Sequence, residues 1–251
     1  AGWYQAQTLA FCLTALSVAA MFCGKTTAAL ILYALAVGCR PFNAIYGAFL
    51  FTLYADDCRR KKQSLKKSSL RLVPGIAAGL LIAALYGIYN AVRFDNPFEF
   101  GHNYLPEFSW QGGKQFSLEN LPENFRTFVL GLPFEEDLYG WEMNLFGFSF
   151  LAANPVFILY FIWNTVDLIR GKYSWLKGML LFSFLLHLFF LLLHHTFGGF
   201  QFGARYTCDL LPYAAAYLAL DGHKRKILIP EAILLIAACG FAYYGYTLIL
   251  L

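Results

Sequence analysis

The chain reads LVPGIAAGLLIAALYGIYNAV from Leu72 to Val92, and this stretch contains no Asp, Glu, Lys or Arg. Three further stretches share this absence of charged residues: Gly2–Gly24, Met143–Val166 and Gly178–Ala204. Each is at least as long as the roughly 20 apolar residues that cross the hydrocarbon core of a bilayer. The pattern predicts an all-α fold, a polytopic transmembrane helix bundle, and excludes a soluble globular domain.

Composition supports the same class of protein. Hydrophobic residues make up 59% of the 251 residues and charged residues only 14%, whereas a soluble domain usually carries about 25% charged residues. The six cysteines show no CxxC or Cys/His spacing, so we interpret them as small packing residues. His187 and His194 are seven positions apart rather than three or four, which disfavours a metal site. We expect no metal and no cofactor.

The positions of the basic residues predict the topology. They crowd three short segments, which contain respectively Arg59, Arg60, Lys61, Lys62, Lys66, Lys67 and Arg71; Arg170, Lys172 and Lys177; and Lys224, Arg225 and Lys226. Short loops rich in Lys and Arg stay in the cytoplasm. The net charge of +4 is therefore explained by topology, and no nucleic-acid partner is expected.

The stretch between Phe94 and Tyr139 is acidic instead. It holds Asp95, Glu99, Glu107, Glu119, Glu123, Glu135, Glu136 and Asp137, against only Lys114 and Arg126. We expect this loop, residues 94–140, to face the periplasm or the cell exterior. The spans around it then alternate in direction: Leu72–Arg93, about Phe148–Ile169, about Leu176–Thr196, Tyr206–Leu220 and Ile227–Leu250.

The first third of the chain admits two interpretations. Thr26–Cys39 and Phe42–Ala55 are each too short for a comfortable span, and Arg40-Pro41 separates them. They form either a hairpin of two short helices with Arg40 at the outer face, or one long helix kinked at Pro41. A charge at the bilayer centre costs at least about 3 kcal/mol, which favours the hairpin. The whole chain, residues 1–251, then forms a single transmembrane domain with about eight hydrophobic helical segments.

Three arginines lie at predicted outer helix ends: Arg40, Arg93 and Arg205. The positive-inside bias works against arginine at this face, so these residues call for another explanation. The fork of donors on a guanidinium suits a phosphate at a membrane interface. The alternative is snorkelling or an ion pair, and Asp209 lies four positions after Arg205 as a possible partner.

Polar aromatic residues accompany these arginines. The helix that ends at Arg93 continues into the turn Asn96-Pro97 and then into His102 and Tyr104. His194 and Tyr206 flank the outer loop before the helix that begins near Arg205. These four side chains, His102, Tyr104, His194 and Tyr206, either form an interfacial aromatic belt or line a site for a polar head group such as a sugar.

Two stretches resemble a known family. Asn90 through Gly101 contains Arg93-Phe94-Asp95-Asn96-Pro97-Phe98-Glu99-Phe100-Gly101, which is similar to the N-x-x-RFG-x-P-x-E-x-G segment of bacterial polytopic glycosyltransferases of the GT-C type. Phe202-Gly203-Ala204-Arg205-Tyr206, followed by Leu211-Pro212, is similar to their FG-x-RY…LP segment. Asp95 stands where glycine is common. The resemblance extends over about Ala28 to Leu220 and corresponds to the later part of such a protein.

The resemblance implies a bacterial cytoplasmic (inner) membrane enzyme with a polyprenyl-phosphate-linked sugar as donor on the extracytoplasmic side. Arg40, Arg93 and Arg205 would stabilise the leaving phosphate. Such enzymes carry an essential acidic residue in the first outer loop, and Ala1–Pro41 contains no Asp or Glu. We therefore expect this chain to be the C-terminal portion of a longer enzyme, or to be inactive alone. Asp95 and Glu99 are weak candidates for the catalytic base, and the acceptor is not specified.

Two other classes of function fit the same residues. A transporter or flippase would also gather an anionic lipid with outer arginines, would need no catalytic acid, and would use broken helices such as those near Pro41 and Pro212. A non-catalytic membrane subunit would explain the missing acid most simply.

Overall fold

A computed structural model of the chain describes residues 2–101, 104, 114–137, 140–195, 199–221 and 226–250. The backbone forms two compact units, Ala1–Gly113 and Lys114–Leu251. That one membrane domain comprises both units stays a prediction.

The first unit consists of helices joined by short turns. These are α1 (Gly2–Phe22), α2 (Thr26–Cys39), α3 (Tyr46–Arg60) and α4 (Leu65–Phe94), with a 3₁₀ turn over Pro41–Ile45 before α3. Ser64 caps α4, because its hydroxyl accepts a hydrogen bond from the backbone N–H of Lys67, which is a common way to start a helix.

The chain folds back on itself after α2. Arg40 has an extended backbone (φ −146°, ψ 105°), and Pro41 begins the following turn, as expected from the steric restriction that proline places on its predecessor. The Tyr33 hydroxyl donates to the Ala44 carbonyl at 2.6 Å, and the Asn43 amide donates to the Thr14 hydroxyl at 3.1 Å. Residues after Arg40 thus return alongside the middle of α1 and α2, which is the hairpin arrangement and not one kinked helix.

One arginine links several helix ends on the side of this unit opposite Arg40. Arg71, near the start of α4, donates to the Asp57 carboxylate at 3.1 Å and to the Gln63 side chain at 3.1 Å. It also donates to the Gly24 carbonyl at 3.3 Å and to the Thr26 hydroxyl at 3.2 Å. A single guanidinium therefore links the α1–α2 turn, the end of α3 and the start of α4.

Helices α2 and α4 run in the same direction at close range. A Cβ atom added to Gly75 would lie 2.6 Å from Leu30 Cδ1, and one added to Gly38 would collide with the Tyr86 ring. The contact between Leu30 and Gly75 lies nearer the N-terminal ends of the two helices, and the contact between Gly38 and Tyr86 lies nearer their C-terminal ends. The two helices are therefore parallel. Small residues permit this approach, as they do between helices in membranes.

The second unit begins with short elements and continues with longer helices. Its short elements are a 3₁₀ turn (Leu118–Asn120), α5 (Leu121–Phe125), a π-helical turn (Arg126–Leu130), the antiparallel strands β1 (Phe134–Asp137) and β2 (Gly140–Met143), and α6 (Phe150–Ala153). The longer helices are α7 (Val156–Ile169), α8 (Trp175–Leu192), α9 (Leu211–Asp221, after the 3₁₀ turn Arg205–Leu210) and α10 (Ile229–Leu250).

An aromatic core holds α7, α8 and α9 together. Phe157, Tyr160, Phe184, Tyr213 and Tyr217 are all completely buried. Their rings meet at angles and not face to face: the Tyr160 and Tyr217 centroids are 5.7 Å apart at 84°, and the Phe184 and Tyr213 centroids 6.0 Å apart at 76°. Such edge-to-face pairs add to the stabilisation from burial.

A buried ion cluster lies at one end of this core. The Lys177 ammonium group at the start of α8 pairs with Asp167 of α7 and, at 2.5 Å, with Asp221 of α9. The Tyr217 hydroxyl donates to Asp167 at 2.6 Å. Helix ends that the charge pattern assigns to one side of the membrane therefore meet. Lys177 belongs to one of the three basic segments that predict the topology, and its side chain is only 6% exposed.

Among the described residues, four helices are long and apolar enough to cross a membrane: Tyr4–Phe22, Lys66–Phe94, Trp175–Leu192 and Ile229–Leu248. Thr26–Cys39 and Val156–Ile169 are apolar but shorter. A multi-pass helical membrane protein is therefore supported, whereas the predicted count of about eight hydrophobic helical segments is not confirmed. The acidic stretch predicted as one long loop contains regular structure, since α5 and β1 lie within it and β2 begins at its last residue.

The close packing of α2 on α4 makes a first prediction. Gly38→Leu should lower the thermal midpoint of unfolding in detergent by several degrees, because the Tyr86 ring occupies the space that the new side chain needs and overpacking costs about 1–3 kcal/mol. Gly240→Ala, in a helix where an added Cβ meets nothing within 4 Å, is the matched control and should be neutral or stabilising. A midpoint unchanged by Gly38→Leu would contradict this packing.

A second prediction concerns pH. Burial alone would raise the pKa of Asp57, but the hydrogen bonds and charges of Lys61 and Arg71 prevail and hold it below the ordinary value. A carboxyl group with a lowered folded pKa stabilises the protein above its unfolded pKa of about 3.9 and loses that effect as the pH falls. Asp57→Asn should therefore lower the thermal midpoint at pH 7, and its difference from wild type should shrink below about pH 4. Glu119→Gln, at an exposed carboxylate, should show no such pH-dependent difference.

Candidate functional site

An apolar groove runs along α2 and α4 in the first unit. Its volume is about 810 Å³, within the range of ligand sites, which is about 300–1,000 Å³. The α4 part of the lining extends from Gly75 to Ala91, a length of about 24 Å at 1.5 Å per helical residue. That length approaches the roughly 30 Å of a bilayer's hydrocarbon core. The groove suits a long hydrocarbon chain better than a compact polar molecule.

The C-terminal end of the groove is shaped by the loop after α4. Pro41, Asn90, Pro97, Phe98 and Phe100 line this end. The buried Asn90 side chain donates to the Pro97 carbonyl at 3.3 Å, and the Asn96 side chain accepts from the Phe98 N–H at 2.9 Å. These bonds fix the Asn96-Pro97 turn that the sequence predicts, and they hold two aromatic rings at the groove's end.

Two of the predicted phosphate-binding arginines lie at this same end. Arg40 directly precedes Pro41, and Arg93 lies one helical turn beyond Asn90, so their neighbours line the groove. The Arg93 guanidinium lies 4.7 Å from the Phe94 ring centroid and 5.1 Å from that of Tyr89, and it donates to the Tyr89 hydroxyl at 3.1 Å. The aromatic rings hold the exposed cation in place, and its other donors can bind an anion.

The two candidate bases have structural roles in this loop. Asp95 ends α4 in the left-handed conformation (φ 54°), where its backbone N–H donates to the Ala91 carbonyl. The Glu99 carboxylate accepts from the Gly101 N–H at 2.7 Å. The Glu99 contact is made by its carboxylate, whereas the Asp95 contact is made by its backbone. A role for either residue as a base stays a prediction.

Tyr104 contacts the aromatic ring next to Arg93. Its ring stacks on Phe94 with centroids 5.4 Å apart and an angle of 16° between the planes, and Phe94 also contacts the Arg93 guanidinium. The role of Tyr104 as a lining residue stays a prediction. His102, the other residue predicted for this rim, lies outside the described residues.

In the second unit, part of the acidic stretch packs on the end of α8. The buried Asn124 amide donates to the carbonyls of Leu192 at 2.7 Å and His194 at 2.8 Å, and the Asn120 amide donates to the Leu193 carbonyl at 3.0 Å. The last carbonyls of a helix have no partner within it. Two asparagines one turn apart supply those partners here and fix the chain around His194.

His194, Arg205 and Tyr206 come together in this unit. The buried His194 ring meets Phe116 edge-on at 5.2 Å and Tyr206 edge-on at 5.6 Å. The Arg205 guanidinium lies 5.3 Å from the centroid of Tyr206. The same arrangement occurs at Arg93. In both places the arginine stacks on the aromatic residue that follows it, and that aromatic ring contacts another side chain, which is polar and aromatic.

Gln201 fixes this second group. Its side chain is buried and accepts from the Arg205 N–H at 2.8 Å, while its backbone N–H donates to the Leu145 carbonyl at 2.7 Å. Asp209, the proposed ion-pair partner, is buried in the 3₁₀ turn that starts at Arg205. The sequence analysis missed Gln201, Asn120 and Asn124. Gln201 lies in the uncharged run Gly178–Ala204, where an amide has to bond to protein groups and is a usable signal. Asn120 and Asn124 lie in the acidic stretch, where no local pattern marks them.

No family model, curated protein or solved structure matches the chain. The likeness to the GT-C transferases therefore stays a prediction that rests on the two motifs around Arg93 and Arg205.

The capping of α8 makes a third prediction. Asn124→Ala would leave buried carbonyls at Leu192 and His194 without this donor, at a cost of about 1–3 kcal/mol. We expect a lower thermal midpoint and faster hydrogen exchange at residues 193–195. Glu119→Ala, on an exposed side chain of the same segment, is the control. Equal midpoints for Asn124→Ala and the control would mean that this contact does not hold the segment.

Proposed function

We propose that this chain binds a polyprenyl-phosphate-linked sugar at the outer face of a bacterial cytoplasmic membrane, as part of a glycosyltransferase that passes the sugar to an acceptor. The observation that carries the proposal is the groove along α2 and α4, which is apolar for about 24 Å and has Arg40 and Arg93 beside its end. An isoprenoid phosphate has the same distribution of properties: a long hydrocarbon chain with an anion at one end.

The chemistry of transfer fits the outer arginines. A sugar leaves its lipid phosphate as the acceptor hydroxyl attacks the anomeric carbon, so negative charge grows on the phosphate. A guanidinium stabilises that charge, and stacking on Tyr89 and Phe94 keeps Arg93 in place without neutralising it. Arg205, which stacks on Tyr206, offers the same chemistry in the second unit.

A second candidate function is movement of the lipid across the bilayer without reaction. It is favoured by the roles of Asp95 and Glu99, which shape the loop after α4. The two functions differ in the fate of the lipid, since a transferase returns it without its sugar and a flippase returns it unchanged.

The lipid site is tested by native mass spectrometry of the purified chain with undecaprenyl phosphate. Arg93→Gln and Arg40→Gln should each weaken binding about tenfold or more, because a hydrogen bond to a charged group contributes about 1.5–3 kcal/mol. Ala83→Phe should also weaken binding, since Ala83 lines the groove and is exposed within it.

Two matched controls separate the site from general effects of substitution. Arg59→Gln removes an arginine that is 77% exposed at the opposite end of the same unit, and Ala77→Phe adds a ring to an exposed position of α4 outside the groove lining. Both should bind undecaprenyl phosphate as wild type does. Equal affinity in all variants, or no saturable binding by wild type, would remove the basis for the lipid site.

A further inference from the structure

A second cavity, of about 690 Å³, lies in the second unit among its short elements. Leucines line part of it, and its polar and aromatic lining residues are Glu123, Arg126, Glu135, Glu136, Trp141 and Asn144. The groove described above has no charged residue among its described lining residues, so the two cavities suit different ligands.

The β-hairpin places an aromatic face next to a carboxylate in this cavity. Glu136 pairs directly with Trp141 across β1 and β2, so both side chains project from the same face, with Cβ atoms about 5 Å apart. Trp141 is 69% exposed, so its ring is accessible to a ligand. Its indole offers a flat apolar surface beside a hydrogen-bond acceptor.

An amide residue and an arginine also belong to the lining, Asn144 and Arg126. The Asn144 amide donates to the Glu135 carboxylate at 2.7 Å, and its oxygen accepts from the Phe146 N–H at 3.0 Å, so the side chain is oriented. Arg126 comes from the π-helical turn. Gly131 is required beside it, because a Cβ there would collide with the Thr127 carbonyl. The walls are thus held by hydrogen bonds and tight turns.

The charge of the lining disfavours an anionic ligand. The described lining residues include three glutamates and one arginine, so an anion such as a phosphate is repelled. Within the described parts of the chain, no group of three His, Cys, Asp or Glu residues is arranged to hold a metal ion. A neutral or amine-bearing ligand with many hydroxyl groups fits this lining. Its hydroxyl groups can donate hydrogen bonds to carboxylates and accept them from Asn and Arg side chains. Its C–H face can cover the indole ring.

We propose that this cavity binds a sugar, neutral or amine-bearing, with its ring against Trp141 and its hydroxyl or amino groups bonded to Glu136 and the neighbouring polar side chains. The proposal deepens the proposed function, on which it rests for its biological meaning, by giving the chain a site for the sugar of the donor or of the acceptor. The cavity's binding chemistry itself does not depend on the lipid site.

The test is ligand-observed saturation-transfer NMR on the full chain in detergent, with glucosamine, N-acetylglucosamine and glucuronic acid as probes. We expect saturable signals from the first two and at least a tenfold weaker response from glucuronic acid, which is an anion. Trp141→Ala should abolish the signals, and Glu136→Gln should remove the preference for glucosamine over N-acetylglucosamine. Trp175→Ala, at an exposed tryptophan at the start of α8, is the control and should bind as wild type.

Three outcomes would overturn the cavity assignment: no saturable binding of any probe, equal binding of glucuronic acid, or unchanged binding by Trp141→Ala, which would make Trp141 an interfacial anchor instead. The undecaprenyl phosphate titration on the same preparation keeps the two proposals separate. Lipid binding without sugar binding rejects only the cavity, and sugar binding without lipid binding rejects only the groove.

One further binding measurement shows whether the sugar belongs to the donor or to the acceptor. If the cavity takes the donor's sugar, Trp141→Ala weakens binding of undecaprenyl-phosphate glucose and leaves undecaprenyl phosphate unaffected. If it takes the acceptor, Trp141→Ala leaves both lipids unaffected and abolishes only the binding of the free sugars.

Discussion

A helix that is apolar on every side receives no orientation from the hydrophobic effect, because lipid chains solvate its side chains as well as another helix would. Only 6% of the spanning window in α4 is buried, so burial does not decide where it lies. The position of α4 is set instead by the close glycine contacts with α2 and by the hydrogen bonds of Arg71. In the second unit, Lys177 joins α7, α8 and α9 in the same manner, and each cation is positioned by groups from several helices.

The sequence predicts well the features that depend on local chemistry. Long uncharged blocks predict helices because lipid leaves the backbone no partner outside the helix, and Pro41 predicts the break at Arg40 through local sterics. Helix ends were less predictable. α3 continues to Arg60 and α4 begins at Leu65, inside the predicted basic loop, because long basic side chains are solvated from a helix as easily as from a loop and Ser64 supplies a cap.

The candidate site was predictable in its residue types and not in its contacts. Arg93 and Arg205 stand out because the positive-inside bias opposes them, but their stacking on Phe94 and Tyr206 is a property of the folded chain. Asn124 was beyond reach of any local pattern, since it caps a helix end 68 and 70 residues away in sequence. The pairing of Lys177 with Asp167 and Asp221 is likewise a property of the folded chain, since these carboxylates come from two other helices.

The two cavities differ in the charge of their described lining residues, so they suit different ligands. The groove along α2 and α4 is uncharged and has arginines beside its end, which suits an isoprenoid phosphate and would leave a sugar's hydroxyls without partners. The described lining of the hairpin cavity includes three glutamates and one arginine. It therefore favours ligands that donate hydrogen bonds or carry an amine, and it disfavours a phosphate.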